Sequence, residues 1–500
     1  MGMHVTDTVD SFLEQRGWQV IGEFASLLQM RNVTGSAEDL RDNAAEIVRR
    51  FDRRGASMEV VELPGAAPVI VGELRCDSPT ARIGVYVHYD GQPVDPANWT
   101  TAPFSPTLRT RAIHADGNQI DLPGPDDVID PEWRIYSRSA ADDKTPLSAI
   151  CAALDALSTA GLSRRVDLVF LFEGEEESGS PNLERYMTTL APRLAADAWL
   201  LCDGPVHQSG TPQVAFGARG YSGFDLTFYG PEREVHSGHY GNWVPNPALE
   251  LGAFLASCKD GEGQVTIEGF YDDTQPMGAA DRAAIAALPP VEHMLGEELG
   301  FAGPEIEGRS YAERLMLPSF NVRGLRAADV GSAARNIIPS RATASVDMRL
   351  AAGDDPNSMV DRVVSHLERA GYLVLDREPT PAERRSHRRL ARLDRTVGYR
   401  AARIPMDSAL ARTLLEVCGR AAASDVVALP TFGGSVPLYL FEDILDAPVA
   451  ILPIANHDNN QHAPDENVRM GNLWYGVRLW AHLLTSDLSA LANQEGVGRS

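Results

Sequence analysis

Nowhere does the chain approach the roughly eighteen consecutive apolar residues of a membrane-spanning helix, so no transmembrane segment is expected. Positive charge is also scarce. Against 69 Asp and Glu there are 45 Lys and Arg, giving a net charge of −24 and a pI near 4.9. Without a basic surplus nothing neutralises phosphate, which argues against a nucleic-acid partner and against adhesion to an anionic membrane. Cysteine is rare: the five at positions 76, 151, 202, 258 and 418 are scattered, odd in number and never in C-x-x-C spacing. They read as buried thiols in a reducing cytoplasm rather than a disulfide framework. Met1 to Val9 lacks a basic region followed by an apolar core, so no secretory signal is expected. Internal repeats and low-complexity segments are absent as well.

Apolar residues make up 44% of the 500 and charged residues 23%, a globular composition long enough for two domains. Helical periodicity runs over Val5 to Met30, and a second helix, Ala37 to Phe51, is expected to be capped by Ser36. Strand patterns follow at Met58 to Leu63, Val69 to Leu74 and Arg82 to Val87, the last nearly all apolar and suited to burial on both faces. A long Pro-, Asp- and Gly-rich loop, Gln92 to Glu132, precedes a helix at Leu147 to Leu157; loops of that length inside a domain are usually functional. Strands Val166 to Phe172 and Ala198 to Cys202, with helix Pro181 to Leu190 between them, complete an α/β pattern.

After about residue 213 the character changes. Gln213 to Phe216 and Tyr221 to Phe228 look like antiparallel strands, helices are expected at Pro247 to Ser257 and Met359 to Ala370, and Thr343 to Leu350 is another strand. Glu383 to Arg403, the one basic run, reads as a solvated connector. From Ile404 the α/β pattern returns, with helix Ser408 to Ala421, strands Val426 to Leu429 and Val449 to Ile454, and a last helix near Asn467 to Leu484. The expected fold is an α/β domain with a mixed, mostly parallel sheet flanked by helices, formed by residues 1–213 and 403–500. A smaller α+β domain, 214–402, is inserted in it.

The densest chemical signal is Leu171 to Gly179, Leu-Phe-Glu-Gly-Glu-Glu-Glu-Ser-Gly, where four carboxylates crowd one strand end. So much negative charge at a buried strand end calls for a positive partner, most simply a divalent metal. Other strand ends supply His88 with Asp90, Asp142, Asp203, and the late histidines His457 and His462. Loops at the carboxyl ends of α/β strands converge on one crevice. Imidazole together with carboxylate there suits a pair of zinc-like ions, one carboxylate bridging them about 3.5–4 Å apart.

These residues fall into motifs: His88-Tyr89-Asp90, Ala140-Ala141-Asp142-Asp143-Lys144, Glu173 to Gly179, Asp203, Val235-His236-Ser237-Gly238, Asn336-Ile337-Ile338-Pro339, Gly433-Gly434-Ser435 and His462-Ala463-Pro464-Asp465-Glu466. In this order, over nearly the whole chain, they resemble the two-zinc amidohydrolases that include carnosinase, carboxypeptidase G and succinyl-diaminopimelate desuccinylase, nearest the dipeptidase-like branch. The resemblance implies that His88 binds one zinc and His462 the other. Asp142 bridges them, and Glu177 and Asp203 complete one site each; manganese or cobalt are the possible substitutes. It implies Glu176 as general base and Asp90 as the group orienting His88. His236 in the inserted lid stabilises the oxyanion, often across a homodimer, and the Asp142–Asp143 peptide is cis. Asn336, Arg349, Gly434 and Ser435 are the candidate substrate-binding residues, Arg349 and the glycine turn suiting a substrate carboxylate. The H-x-P-x-E frame selects His462 over His457, and Gly179 sets the frame that assigns Glu176 and Glu177; Glu173 and Glu175 receive a solvated or supporting role.

One departure stands out: Ser137, Ser139 and Thr145 replace the glycines usual around the bridging aspartate, which bears on pocket shape. The expected activity is hydrolysis of an amide next to a free carboxylate, on a dipeptide or other small peptide. An N-acyl amino acid deacylase is the alternative, and a catalytically inactive metal-holding protein a remote third.

Overall fold

The computed structural model describes residues 2–492. Its centre is an eight-stranded mixed sheet in the order Ser57–Val61, Val69–Leu74, Val166–Glu173, Ala81–His88, Ala198–Leu201, Val449–Ile451, Gln213–Ala215, Val427–Leu429. The four middle strands, Val166–Glu173 through Val449–Ile451, run parallel. Their carboxyl ends therefore open at one edge, and His88 lies directly beside Glu173.

Both faces of this sheet are covered, which is why its strands read as continuous apolar runs. On one face, the helices Gly2–Leu28, Lys144–Ala160, Ala409–Ala422 and Met470–Thr485 enclose a core that includes Phe24, Ile150, Phe170, Leu414 and Trp480. On the other, Leu183–Leu190 and Tyr439–Leu445 pack around Tyr86, Trp199, Leu171 and Phe441. Buried Lys144 docks its helix on the end of the first one, its Nζ donating to the carbonyls of Leu27 and Met30 at 3.0 Å. Helix-end carbonyls have no partner within their own helix, and here the lysine amine donates to one of them, Leu27, and to Met30 just beyond the end.

A second sheet, ordered Ser319–Arg326, Arg341–Leu350, Gly220–Tyr229, Leu390–Tyr399, Leu373–Leu375, carries the helices Pro247–Ser257 and Pro356–Arg369 over its own core of Phe224, Phe254, Val346 and Val363. This is the inserted α+β unit.

Several local expectations are corrected. Gln213–Ala215 and Gly220–Tyr229 do not pair with each other: the first belongs to the central sheet and the second to the inserted one. The basic run is not a loose connector. Leu390–Tyr399 is an interior strand of the inserted sheet, its apolar Leu390, Ala391 and Leu393 buried and its Arg395, Thr396 and Val397 exposed. The charged residues that precede and interrupt it hid the strand. The long loop holds two short strands, Thr107–Arg109 and Gln119–Ile120, in a four-stranded sheet with Arg134–Tyr136 and Asn467–Arg469. Ser36 precedes its helix without a side-chain capping bond, whereas Ser408 caps its own by accepting from the Ala411 N–H at 3.1 Å. Cys76 is half-buried, unlike the other four cysteines, and all five are unpaired.

Candidate functional site

The acidic stretch divides into buried and open parts. Glu173, still on its strand, is fully buried; its Oε2 accepts from the Tyr86 hydroxyl at 2.5 Å and from the Ser180 hydroxyl at 3.1 Å. Burial pushes its carboxyl up to about 8. It is a supporting group, not a solvated one. Glu175 also supports, accepting the backbone N–H of Ala67 at 3.1 Å and of Asn182 at 3.0 Å. Glu176–Ser178 then forms one tight helical turn, closed by Gly179 at φ 84°, a left-handed backbone that glycine adopts freely.

Asp90 fixes that turn. Its two oxygens accept the N–H of Glu176 at 3.2 Å and of Glu177 at 3.1 Å, while Oδ1 lies 3.3 Å from Nδ1 of His88. One buried carboxylate thus sets both a histidine ring and the acidic turn.

Asp142 sits between the two motif histidines. Its Oδ1 is 2.7 Å from Nε2 of His88, and its Oδ2 is 2.9 Å from Nε2 of His462. The His462 ring also lies 3.1 Å from Oε2 of Glu177. Two groups of donor atoms result, each within 4.8 Å: His88, Asp143 and Asp203, and Asp142, Glu177 and His462. The Asp142–Asp143 peptide is cis. His462, rather than the half-buried His457, reaches the cluster.

Electrostatics explain what such a cluster demands. Burial, reinforced by Asp203, Asp142 and Glu177 against the opposing pull of His88, raises Glu176 to about 8. Burial and the Asp142 charge raise Asp203 to about 6, and burial with the Asp203 charge lifts Asp143 well above its usual range. Asp142 moves the other way: burial would raise it, but the two histidines hold it well below the carboxylate range. Hydrogen bonds to Asp142 and Glu177 raise His462 to about 10. So many carboxylates in one crevice are stable together only beside positive charge. The donor chemistry fits two divalent ions. Imidazole and carboxylate are zinc's ordinary ligands, and Oδ2 of Asp143 and Oδ1 of Asp203 are buried atoms with no hydrogen-bond partner in the protein.

Several supporting residues carried no role in the sequence reading. Glu466 is fully buried; its Oε1 accepts the N–H of Ala141 at 2.8 Å and of Asp142 at 2.9 Å, and its Oε2 accepts the N–H of Ser139 at 3.0 Å and Nη1 of Arg138 at 2.6 Å. Gln461 donates to Oδ2 of Asp142 and Gln92 to Oε2 of Glu177, both at 2.8 Å. Asp143 was visible as half of an acidic doublet and Glu466 as the end of the H-x-P-x-E frame. The two glutamines have no local signal.

The substrate-binding candidates are dispersed. His236 lies on a two-stranded ladder with Ile337–Ile338, its Nδ1 accepting from Gly238 at 3.0 Å and its ring against His239. The Asn336 carbonyl accepts the Ser237 N–H at 3.0 Å on the same ladder. Among the described residues no hydrogen bond or ion pair joins either to the carboxylate cluster. Arg349 lies 3.4 Å from Asp347 with its guanidinium over the Tyr221 ring. The Gly434 carbonyl accepts from Arg219 at 3.3 Å, the Ser435 hydroxyl donates to the Gly220 carbonyl at 3.2 Å, and Tyr399 donates to the Ser435 carbonyl at 3.1 Å. Burial pushes Tyr399 up to about 12, with Arg349 opposing and Glu176 adding to the rise, so this group lies within electrostatic reach of Glu176. A cavity of about 600 Å³ adjoins Gly433 and Gly434, with His207 and His457 also on its wall.

The family model described as Peptidase family M20/M25/M40 matches residues 84–486. The chain is 25% identical over 459 residues to the Cys-Gly metallodipeptidase dug1 of Schizosaccharomyces pombe, covering 87% of each. It is 24% identical over 460 residues to the human (Homo sapiens) Beta-Ala-His dipeptidase, covering 88% of this chain and 82% of that one. Among solved structures, the M20 family metallo-carboxypeptidase Sso-CP2 from Sulfolobus solfataricus superposes with a TM-score of 0.75 at 24% identity, over 94% of this chain and 99% of the other. Human carnosine dipeptidase 1 gives 0.72 at 21% identity, over 98% of each. At these identities the structural likeness speaks to the fold.

Proposed function

We propose that this chain, which belongs to Peptidase family M20/M25/M40, is a dinuclear metal-dependent peptidase that cuts a dipeptide or small peptide next to its free carboxylate. The observation that carries this reading is the position of Asp142, one oxygen toward His88 and the other toward His462. That is the placement a bridging carboxylate requires. Dipeptidase names among the relatives favour a peptide over an N-acyl amino acid.

In this proposal His88 and Asp203 serve one ion, Glu177 and His462 the other, and Asp142 both; zinc is the favoured metal, with manganese or cobalt as substitutes. Asp143, whose carboxylate falls in the first group, is a further donor there. Two bound divalent ions would acidify a water and polarise the scissile carbonyl. Glu176 takes the proton of the attacking water and delivers it to the leaving nitrogen. Burial raises its pKa and bound cations would lower it, opposing effects on the group that must both take and give the proton. Asp90 orients His88 through Nδ1 and holds the Glu176–Glu177 turn, so it positions ligand and base together. Arg349 and the Gly434–Ser435 loop hold the substrate carboxylate, and Asn336, on the ladder that carries His236, binds substrate together with it.

We assign His236 to oxyanion stabilisation across a homodimer formed through the inserted unit. Support comes from its exposure and from exposed Trp243 nearby, together with the outer strand Ser319–Arg326, which presents Val322 and Leu325 on an uncovered sheet edge. The five unpaired cysteines suit a cytoplasmic location. No described helix is long and apolar enough to cross a membrane.

The test is a panel of dipeptides and N-acyl amino acids offered to zinc- or manganese-loaded protein. Dipeptide hydrolysis that disappears on chelation is the expected result. Cleavage of N-acyl amino acids alone would replace the peptidase reading with the deacylase one.

A further inference from the structure

The cavity of about 600 Å³ shares segments of chain with the proposed metal and carboxylate sites. Pro205, Val206 and His207 on its wall follow directly from Asp203. Gly204, between them, has φ 88°, and a Cβ there would meet the ring of Phe432, another wall residue, at 3.1 Å. Phe432 continues into Gly433 and Gly434, which also line the cavity and lead to Ser435 in the loop proposed to hold the substrate carboxylate. The cavity therefore starts where the carboxylate-bearing residue of a substrate would lie. The rest of its wall includes residues of the helices Ala279–Ala286, Glu292–Leu299 and Tyr311–Leu315 of the inserted segment.

Its chemistry follows from which wall groups are already engaged. Glu292 accepts the N–H of Val291 at 3.1 Å and of Tyr311 at 2.8 Å. Glu313 accepts from the Ser310 N–H at 2.7 Å, and Arg282 donates to the Met277 carbonyl. Gln213 donates to the Pro205 carbonyl at 2.7 Å, and Nδ1 of His207 lies 2.9 Å from the Ser209 hydroxyl. The wall keeps some free polar atoms, among them Oε1 of Gln213, but its largest continuous share is apolar side chain: Ile285, Leu288, Val291, Leu315, Leu429 and Phe432.

We infer that this cavity is the side-chain pocket for the substrate residue bearing the free carboxylate, and that it selects bulky apolar side chains such as leucine and phenylalanine over glycine. The inference rests on the proposed cleavage next to a carboxylate, but not on whether the acyl part is an amino acid. The driving force is removal of apolar side-chain surface from water, available to leucine or phenylalanine and not to glycine.

The experiment compares kcat/KM of the metal-loaded enzyme for Ala-Gly, Ala-Leu and Ala-Phe, and for the N-acetyl forms of glycine, leucine and phenylalanine. Leucine and phenylalanine forms should exceed the glycine form by at least about tenfold, the discrimination an apolar pocket gives for even one methylene. Leu315→Trp and, separately, Ile285→Trp fill the pocket from different helices; either should lower the Phe-to-Gly ratio by at least about tenfold. A glycine form equal to or better than the bulky ones, or ratios unchanged in both soluble variants, overturns the inference. If neither series is cleaved, the function proposed above fails by itself. The pocket is then read by calorimetry of N-acetyl-phenylalanine and N-acetyl-glycine with metal-loaded Glu176→Gln protein: tighter binding of the former, weakened by Leu315→Trp, supports the pocket, and equal binding refutes it.

Discussion

The carboxylate of Glu466 accepts the backbone N–H of Asp142 at 2.9 Å across 324 positions of sequence. Glu466 stands four residues after His462, so one side chain joins the loop that carries the central carboxylate to the loop that carries the second histidine. The Arg138 guanidinium, nearly as buried, completes the junction. Glu466→Gln places an amide against N–H donors and leaves Arg138 without its charge partner. Breaking a buried pair in this way costs about 3–5 kcal/mol. Urea denaturation should show a loss of that order, and metal content per chain should fall with it. A variant with unaltered stability and metal content would show the junction to be dispensable.

Glu176→Gln removes the proposed proton carrier while preserving shape. Dipeptide hydrolysis should fall by roughly 10²–10⁴, with metal content unchanged. Hydrolysis within a few-fold of wild type would assign the base elsewhere.

Cations should stabilise the fold through the crowded carboxylates. At zinc concentrations about a hundredfold above Kd, linkage supplies about 2.7 kcal/mol. Chelation should therefore lower the thermal midpoint, and His462→Ala should reduce bound metal from two ions per chain to one. Unaltered stoichiometry in that variant would remove His462 from the site.

Stability should also depend on pH at a distance from the crevice. His482 is buried, with Nε2 2.8 Å from the Thr6 hydroxyl; burial, then the Arg420 charge, lowers it to about 4. An ordinary histidine titrates near ~6.5. Between these values the unfolded chain binds the proton and the folded chain does not, so stability falls as pH drops from about 6.5 toward 4. Denaturation midpoints across that range should fall less steeply in His482→Gln than in the parent; identical slopes would exclude this histidine as the source.

Mixing tests the proposed dimer. His236→Ala and Glu176→Ala proteins, each inactive alone, should regain part of the activity when their subunits exchange. No recovery despite demonstrated exchange would place His236 outside the partner's site.

The sequence made the chemistry more legible than the support. His88, Asp142, Glu177 and His462 could be read because strand ends in a parallel sheet share one edge and each falls in a short motif. Asp90 was read as orienting His88, but its hold on the Glu176–Glu177 turn, like that of Glu466 on Asp142, acts through backbone N–H groups, and such bonds leave no pattern in side-chain identity. Leu390–Tyr399 was hidden because its buried residues, Leu390, Ala391 and Leu393, do not alternate and sit among arginines. The cavity could not be foreseen, since its walls come from Pro205 to His207, 277–315 and 429–434, distant segments that only the folded chain brings together.

The central claim is that Asp142 bridges two ions between His88 and His462. Anomalous X-ray scattering from crystals of the zinc-loaded enzyme tests it most directly. Two peaks are expected about 3.5–4 Å apart, one beside His88 and Asp203, the other beside Glu177 and His462, with the Asp142 carboxylate between them. A single peak in this crevice, from protein that still hydrolyses dipeptides at full rate, would contradict it.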